Sequence, residues 1–236
     1  FTRGISVAVG SVGSVGSQTL VSTVPMAPAG SGSTLRAEGA ADMVVSASSD
    51  IATMCATVCD PLHSLKRAAT VTKSSVAGSY DGRSYNSRYM LDAAANLKIG
   101  NANGDSVIDI FDFGTFVAQR GGQLALDTVA NQVGIHSDFN ASSDGVSSGS
   151  AADVTNADLA FLAVNFFAVD EGCGAFTNQQ PVARVSVKDL RRMGLAGQEF
   201  ADINGDGWVD TTDMSLMMQG VEPRRLSRAA TSNAIR

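Results

Sequence analysis

The chain has 236 residues, 44% hydrophobic and only 17% charged, with acids outnumbering bases 23 to 17. That length supports one large domain or two to three small ones, and the acidic balance excludes nucleic acid as a partner, because phosphate binding needs a basic patch. No stretch reaches the roughly 18 to 20 apolar residues of a membrane span, and Cys55, Cys59 and Cys173 are too few for a disulfide scaffold and lack zinc-site spacing.

One bridge with a spare thiol and three buried thiols are both open. The chain opens on Phe1, without a charged start and a long apolar block, and is read as a mature or partial product. Residues 1–96 form the first unit. "GISVAVGSVGSVGSQTLVSTV" alternates apolar and small polar residues, with Ile5, Val7 and Val9 on one face, which predicts a strand broken by glycine. "ADMVVSAS" and "RAATVTKSSV" are further short strand candidates between Gly, Ser, Pro and Asp turns, and together they predict a β-sandwich-like domain with an extended N-terminal strand. "GSVGSVG" lacks the lysine and following helix of a phosphate loop.

From residue 97 the period changes. "NANGDSVIDIFDFGTFVAQRGG" and "DINGDGWVDTTDMSLMMQGV" share one pattern: polar residues at alternate positions, an apolar eighth residue, Asp at the twelfth, then a helix. "VTNADLAFLAVNFF" and "VSVKDLRRMGL" align with them on the twelfth position. The twelfth residues are Asp112, Asp158, Asp189 and Asp213, and the eighth are Ile108, Val154, Val185 and Val209. Phe113, Leu159, Leu190 and Met214 follow the Asp, and Phe116, Leu162, Met193 and Met217 stand four after it, marking one apolar helix face. The repeats group as a pair over 97–168 with a long linker, a pair over 169–222, and a basic tail over 223–236. The class is α+β.

Oxygens at positions 1, 3, 5, 7, 9 and 12 of a tight loop suit a hard dication that takes six to eight oxygen ligands. The last loop supplies Asp202, Asn204, Asp206, the Trp208 carbonyl, Asp210 and Asp213, with Gly207 at the turn. The first supplies Asn101, Asn103, Asp105, the Val107 carbonyl, Asp109 and Asp112; Ser106 replaces the turn glycine and position 1 is neutral, so weaker calcium binding is expected. A third site would draw on Asp138, Asn140, Ser142 or Asp144, Thr155 and Asp158, with a Ser/Gly-rich insertion looping out. The remaining copy has Asn178, Gln180 and Val182 at ligand positions and is expected to pack rather than bind.

These repeats resemble the type I dockerin, a calcium-binding relative of the EF-hand; residues 184–221 match closely and 97–168 more loosely. The resemblance implies loop–helix pairs, calcium at the loops, and Asp rather than Glu at position 12. A β-rich segment ahead of "LKIGNANGDSVIDIFDFGTFV" also resembles secreted bacterial surface proteins that set such repeats behind a β-sandwich. Dockerins plug into a cohesin-like protein through polar pairs at positions 10 and 11. Here those pairs are Ile110–Phe111, Asn156–Ala157, Val187–Lys188 and Thr211–Thr212, and only the last is of that kind.

No paired acid and base stands outside the loops, no Ser/His/Asp set occurs, and His63 and His136 are expected to be surface or structural, so the expectation is a non-enzyme. The leading expectation is an extracellular or cell-surface structural protein that polymerises with copies of itself. The N-terminal strand could add to a neighbour's sheet edge, and the tail arginines 224, 225, 228 and 236 could meet an acidic body. Three calcium ions would cancel the formal charge of −6, and two would leave −2, easing association. The alternative is an adaptor that recruits a cohesin-like protein while the β-domain binds carbohydrate or anchors at the surface; an enzyme fragment lacking its upstream catalytic domain is a third reading. Ser and Thr would accept glycans, but the one Asn-x-Ser sequon places Asn140 at a ligand position, which argues against its modification.

Overall fold

In the computed structural model of the chain, the described residues are 2–11, 18–29, 36–39, 54–60, 64–74, 78–80, 83–85, 88–91, 97–120, 137–139, 154–171 and 179–223. The N-terminal unit contributes eight described strands: β1 (Thr2–Ser11), β2 (Gln18–Ala29), β3 (Arg36–Gly39), β4 (Met54–Cys59), β5 (Arg67–Ser74), β6 (Gly78–Tyr80), β7 (Arg83–Tyr85) and β8 (Arg88–Leu91). Six of them make one sheet in the order β3-β2-β1-β4-β5-β8, antiparallel at every step, and β6 and β7 pair with each other. The alternation read in "GISVAVG" becomes β1, whose register sets Val7 opposite Leu20 on one side and Val58 on the other.

That placement bears on the expectation that the N-terminal strand adds to a neighbour. β1 pairs with β2 over Thr2–Val9 and with β4 over Ser6–Ser11, so Ser6–Val9 are paired on both sides within the sheet, whose outer strands are β3 and β8. The two-layer packing of a sandwich would rest on side chains outside the described residues. Cys55 and Cys59 lie on β4, while Cys173, His63 and His136 lie outside the described residues.

The second half is built of short helices: α1 (Ile110–Gln119), α2 (Asn156–Val164), α3 (Val187–Arg192), a 3₁₀ turn (Ala196–Ala201) and α4 (Thr211–Met218), with the two-stranded ribbon β9 (Arg184–Ser186) and β10 (Trp208–Asp210). All four α-helices begin at the tenth repeat position, because the ninth residue caps each one. Asp109, Thr155, Ser186 and Asp210 accept a backbone N–H from the first turn through their side chains. In three copies the twelfth residue completes a capping box by accepting the cap's own N–H.

One core runs through both repeat pairs. Ile108, Val154 and Val209 at the eighth position are fully buried and Val185 nearly so, and Phe113, Phe116, Leu159, Leu162, Leu190, Met214 and Met217 pack with them. Each large side chain withdrawn from water in this way contributes roughly 1.5–3 kcal/mol. Met193 departs from the expected apolar face: α3 stops at Arg192, and Met193, its C-cap residue, is 55% exposed. Leu65 joins the same core from the N-terminal unit. Beside it, the Leu65 N–H donates to the Lys98 carbonyl (3.0 Å), the Lys66 N–H to Asp170 Oδ1 (2.7 Å), and Lys98 Nζ to Glu171 Oε1 (2.7 Å). Gly100 sits where the first loop crosses α2; its φ is +133° and a Cβ there would come within 2.9 Å of the Leu162 Cα.

Candidate metal centre

The first and last loops share most of their hydrogen bonds, made by matching residues; at position 1 Asp202 also accepts the Asp206 (3.1 Å) and Gly207 (2.9 Å) N–H groups, whereas Asn101 Nδ2 donates to the Asp105 carbonyl (2.7 Å). At position 1, Asn101 Oδ1 accepts the Gly104 N–H (2.8 Å) and Asp202 Oδ1 accepts the Gly205 N–H (2.8 Å). At position 3, Asn103 Oδ1 accepts from the Asp105 N–H and Asn204 Oδ1 from the Asp206 N–H, both 2.9 Å. At position 5, Asp105 Oδ1 accepts from the Val107 N–H and Asp206 Oδ1 from the Trp208 N–H, again 2.9 Å. Position 9 caps the helix: Asp109 Oδ1 takes the Phe111 N–H and Asp210 Oδ1 the Thr212 N–H, both 2.8 Å.

Position 12 locks each loop to its helix. Asp112 Oδ1 accepts the N–H groups of Ala102 (2.7 Å) and Asn103 (3.2 Å), and its Oδ2 accepts that of Asp109 (2.8 Å). Asp213 repeats this with Ile203 (2.8 Å), Asn204 (3.2 Å) and Asp210 (2.9 Å). Backbone donors in so tight a turn have few backbone acceptors in reach, so the side chains supply them. Burial raises Asp112 to about 8 against the N–H contacts that pull it down; burial also raises Asp109 and Asp213.

Two glycines escaped the sequence reading. Gly104 and Gly205, at position 4 of the two loops, share φ values of +77° and +78°, a backbone that favours glycine. Gly207, the expected turn residue, also has positive φ (+89°), whereas its counterpart Ser106 is not among the positive-φ residues, so position 4 is the turn the loops have in common. The Asn-Gly-Asp tripeptide present in both loops is the signal that could have found it.

The donor set fits a hard cation in kind: oxygen only, from carboxylates, amides and the Val107 and Trp208 carbonyls. Among the described residues, however, no three Asp, Glu, His or Cys side chains converge into a group able to hold a metal ion. The carboxylates are turned onto the loop's own amides, and mutual repulsion opposes drawing them together without a cation.

Capping and cation binding can be told apart by comparing copies. Positions 9 and 12 are polar in all four repeats; position 9 caps all four helices and position 12 completes a capping box in three, so helix formation alone accounts for most of their recurrence. In the third copy Ser186 caps α3 and its hydroxyl donates to Asp189 Oδ2 (2.7 Å), with Gln180 and Val182 at positions 3 and 5. Oxygen-bearing side chains at 1, 3 and 5 together occur in the first and last loops, where capping does not require them. In the interrupted copy, Asp158 Oδ2 accepts the Thr155 N–H (2.8 Å), Asp138 is part-buried, and Asn140, Ser142 and Asp144 lie outside the described residues.

Sequence reasoning also missed Gln179, Val182 and Arg184, which reach the two loops from the third copy. Comparison with known protein families, with curated proteins and with solved structures returned no match. The dockerin resemblance therefore rests on the residues of this chain.

Proposed function

We propose that this chain is a calcium-stabilised, non-enzymatic structural protein of the cell surface or extracellular space, a subunit that self-associates into a fibre. The observation that supports calcium is that two distant loops share oxygen-bearing side chains and backbone hydrogen bonds at positions 1, 3 and 5, where helix capping places no demand. Calcium would be held by Asn101, Asn103, Asp105, Asp109, Asp112 and the Val107 carbonyl, and by Asp202, Asn204, Asp206, Asp210, Asp213 and the Trp208 carbonyl. It would neutralise carboxylates that otherwise repel and fix the entry to α1 and α4. With its acidic charge largely cancelled the subunit loses self-repulsion, which favours packing against copies of itself.

One observation favours the adaptor reading. Thr211 and Thr212, at the two positions dockerins use for docking, are both exposed, whereas Ile110 in the first copy is buried in the core. Light scattering and electron microscopy in millimolar calcium and then in excess chelator separate the two. Elongated particles that shorten on chelation support the fibre. A monomer in both conditions that shifts only when a foreign partner is added supports the adaptor and ends the fibre reading.

A further inference from the structure

The third repeat lacks its own ligand set, yet its chain runs from one candidate loop to the other. Gln179 Nε2 donates to Asp105 Oδ2 (3.0 Å), and Gln179 Oε1 accepts the Ser106 hydroxyl (2.9 Å). The Val182 N–H donates to Asp109 Oδ2 (2.8 Å), and the Val182 carbonyl accepts the Ile110 N–H (3.2 Å). Two proposed ligand side chains of the first loop, at positions 5 and 9, are thus held from outside the loop.

After one intervening residue, Ala183, the same strand engages the last loop. Arg184 Nε lies 3.6 Å from Asp210 Oδ2, and its guanidinium sits 4.0 Å over the Trp208 ring. Arg184, Val185 and Ser186 pair with Asp210, Val209 and Trp208, and the Val187 N–H donates to the Gly207 carbonyl (3.0 Å). Positions 6 to 9 of the last loop are therefore aligned by the segment that aligns positions 5, 6, 9 and 10 of the first.

We infer that residues 179–187 are a strap that couples the two loops, so that filling one cation site raises the affinity of the other. This rests on the calcium reading above. The physical basis is that a rigid segment bonded to both loops carries any rearrangement of one to the other, and such coupling is reciprocal. Gln179, Val182 and Arg184 are positioning groups: they hold ligand side chains. On this account the repeat without its own ligand set serves the two loops that have one.

Trp208 is the only tryptophan and lies in the last loop, so terbium(III) luminescence excited through tryptophan reports that loop alone. Terbium titrations would compare the full chain with Asp112→Asn, which disables the first loop without touching the strap, each with and without two glycines inserted after Ala183. Because Asp112 is buried and caps α1, Asn103→Ala serves as the second first-loop variant, and circular dichroism checks that each variant keeps its helices. With the strap intact, disabling the first loop should raise the terbium midpoint of the last loop about fivefold or more, and with the inserted glycines by less than about twofold. An unchanged midpoint in both first-loop variants would overturn the coupling and leave calcium binding standing, as would a shift that survives the insertion. Absence of saturable emission from the unmodified chain would overturn the calcium reading and the coupling with it.

Discussion

Position 9 caps each helix and is also a proposed calcium ligand, and separating the two decides how much of the repeat is about metal. Asp210 caps α4 through Oδ1, and in the third copy Ser186 performs the same capping. Serine and aspartate are near-equal caps, so Asp210→Ser should leave the calcium-free melting temperature within about 0.5 kcal/mol equivalent while weakening calcium binding at the last loop. Equal calcium affinity in titrations of the two proteins would assign position 9 to capping alone. Acid titration offers a second test. Burial raises Asp112 to about 8 and lifts Asp109, Asp213 and Asp170; Glu171 moves down through its hydrogen bond to Lys98. A carboxyl raised on folding gives stability that is complete below its unfolded value and is lost as pH climbs through the folded one. Calcium-stripped protein should therefore melt lower at about pH 8 than at about pH 5, and millimolar calcium should shrink or reverse that trend by holding the carboxylates ionised. The alternation of oxygen-bearing side chains along each loop was legible from the sequence because it is local. The capping role of positions 9 and 12 was legible too, as the D/T/S-x-x-D pattern of a capping box, but attention to ligands passed over it.

At the scale of elements, the four helix starts could be read because cap and apolar period coincide at every copy. What could not be read was set by distant contacts. Whether β1 lies inside its sheet or at an edge depends on pairing with β4, some fifty residues away, about which local alternation says nothing. The length of α3 was misjudged at Met193 because the periodic pattern continues past the point where the helix ends. Gln179 gave no signal at all, since its role comes from the fold bringing the third copy onto the first loop. Gly100 shows the same dependence: only the crossing with α2 makes it indispensable. Gly100→Ala combines a positive φ with a Cβ 2.9 Å from backbone, so it should cost about 2 kcal/mol or more, read from chemical denaturation. A change below about 0.5 kcal/mol would mean that the loop and α2 do not meet as described.

For the molecule as a whole, the core shared by both repeat pairs predicts one cooperative unit rather than two. Each site filled at a hundredfold excess over its Kd adds about 2.7 kcal/mol, or roughly 5 to 10 °C in melting temperature for a domain of this size. Because the loops set the entry to α1 and α4, helix signal and calcium should be lost in one transition on chelation; two separate transitions would split the core. The four repeats and their apolar faces follow from the sequence pattern, whereas the single core that joins the two pairs, the sheet order and the strap do not. Calcium binding by the first and last loops is read by titration calorimetry on the chelator-stripped 236-residue chain. Saturable binding of at least two calcium ions per chain is expected, with one lost in Asp213→Asn. A flat titration, or binding unchanged in that variant, would contradict it.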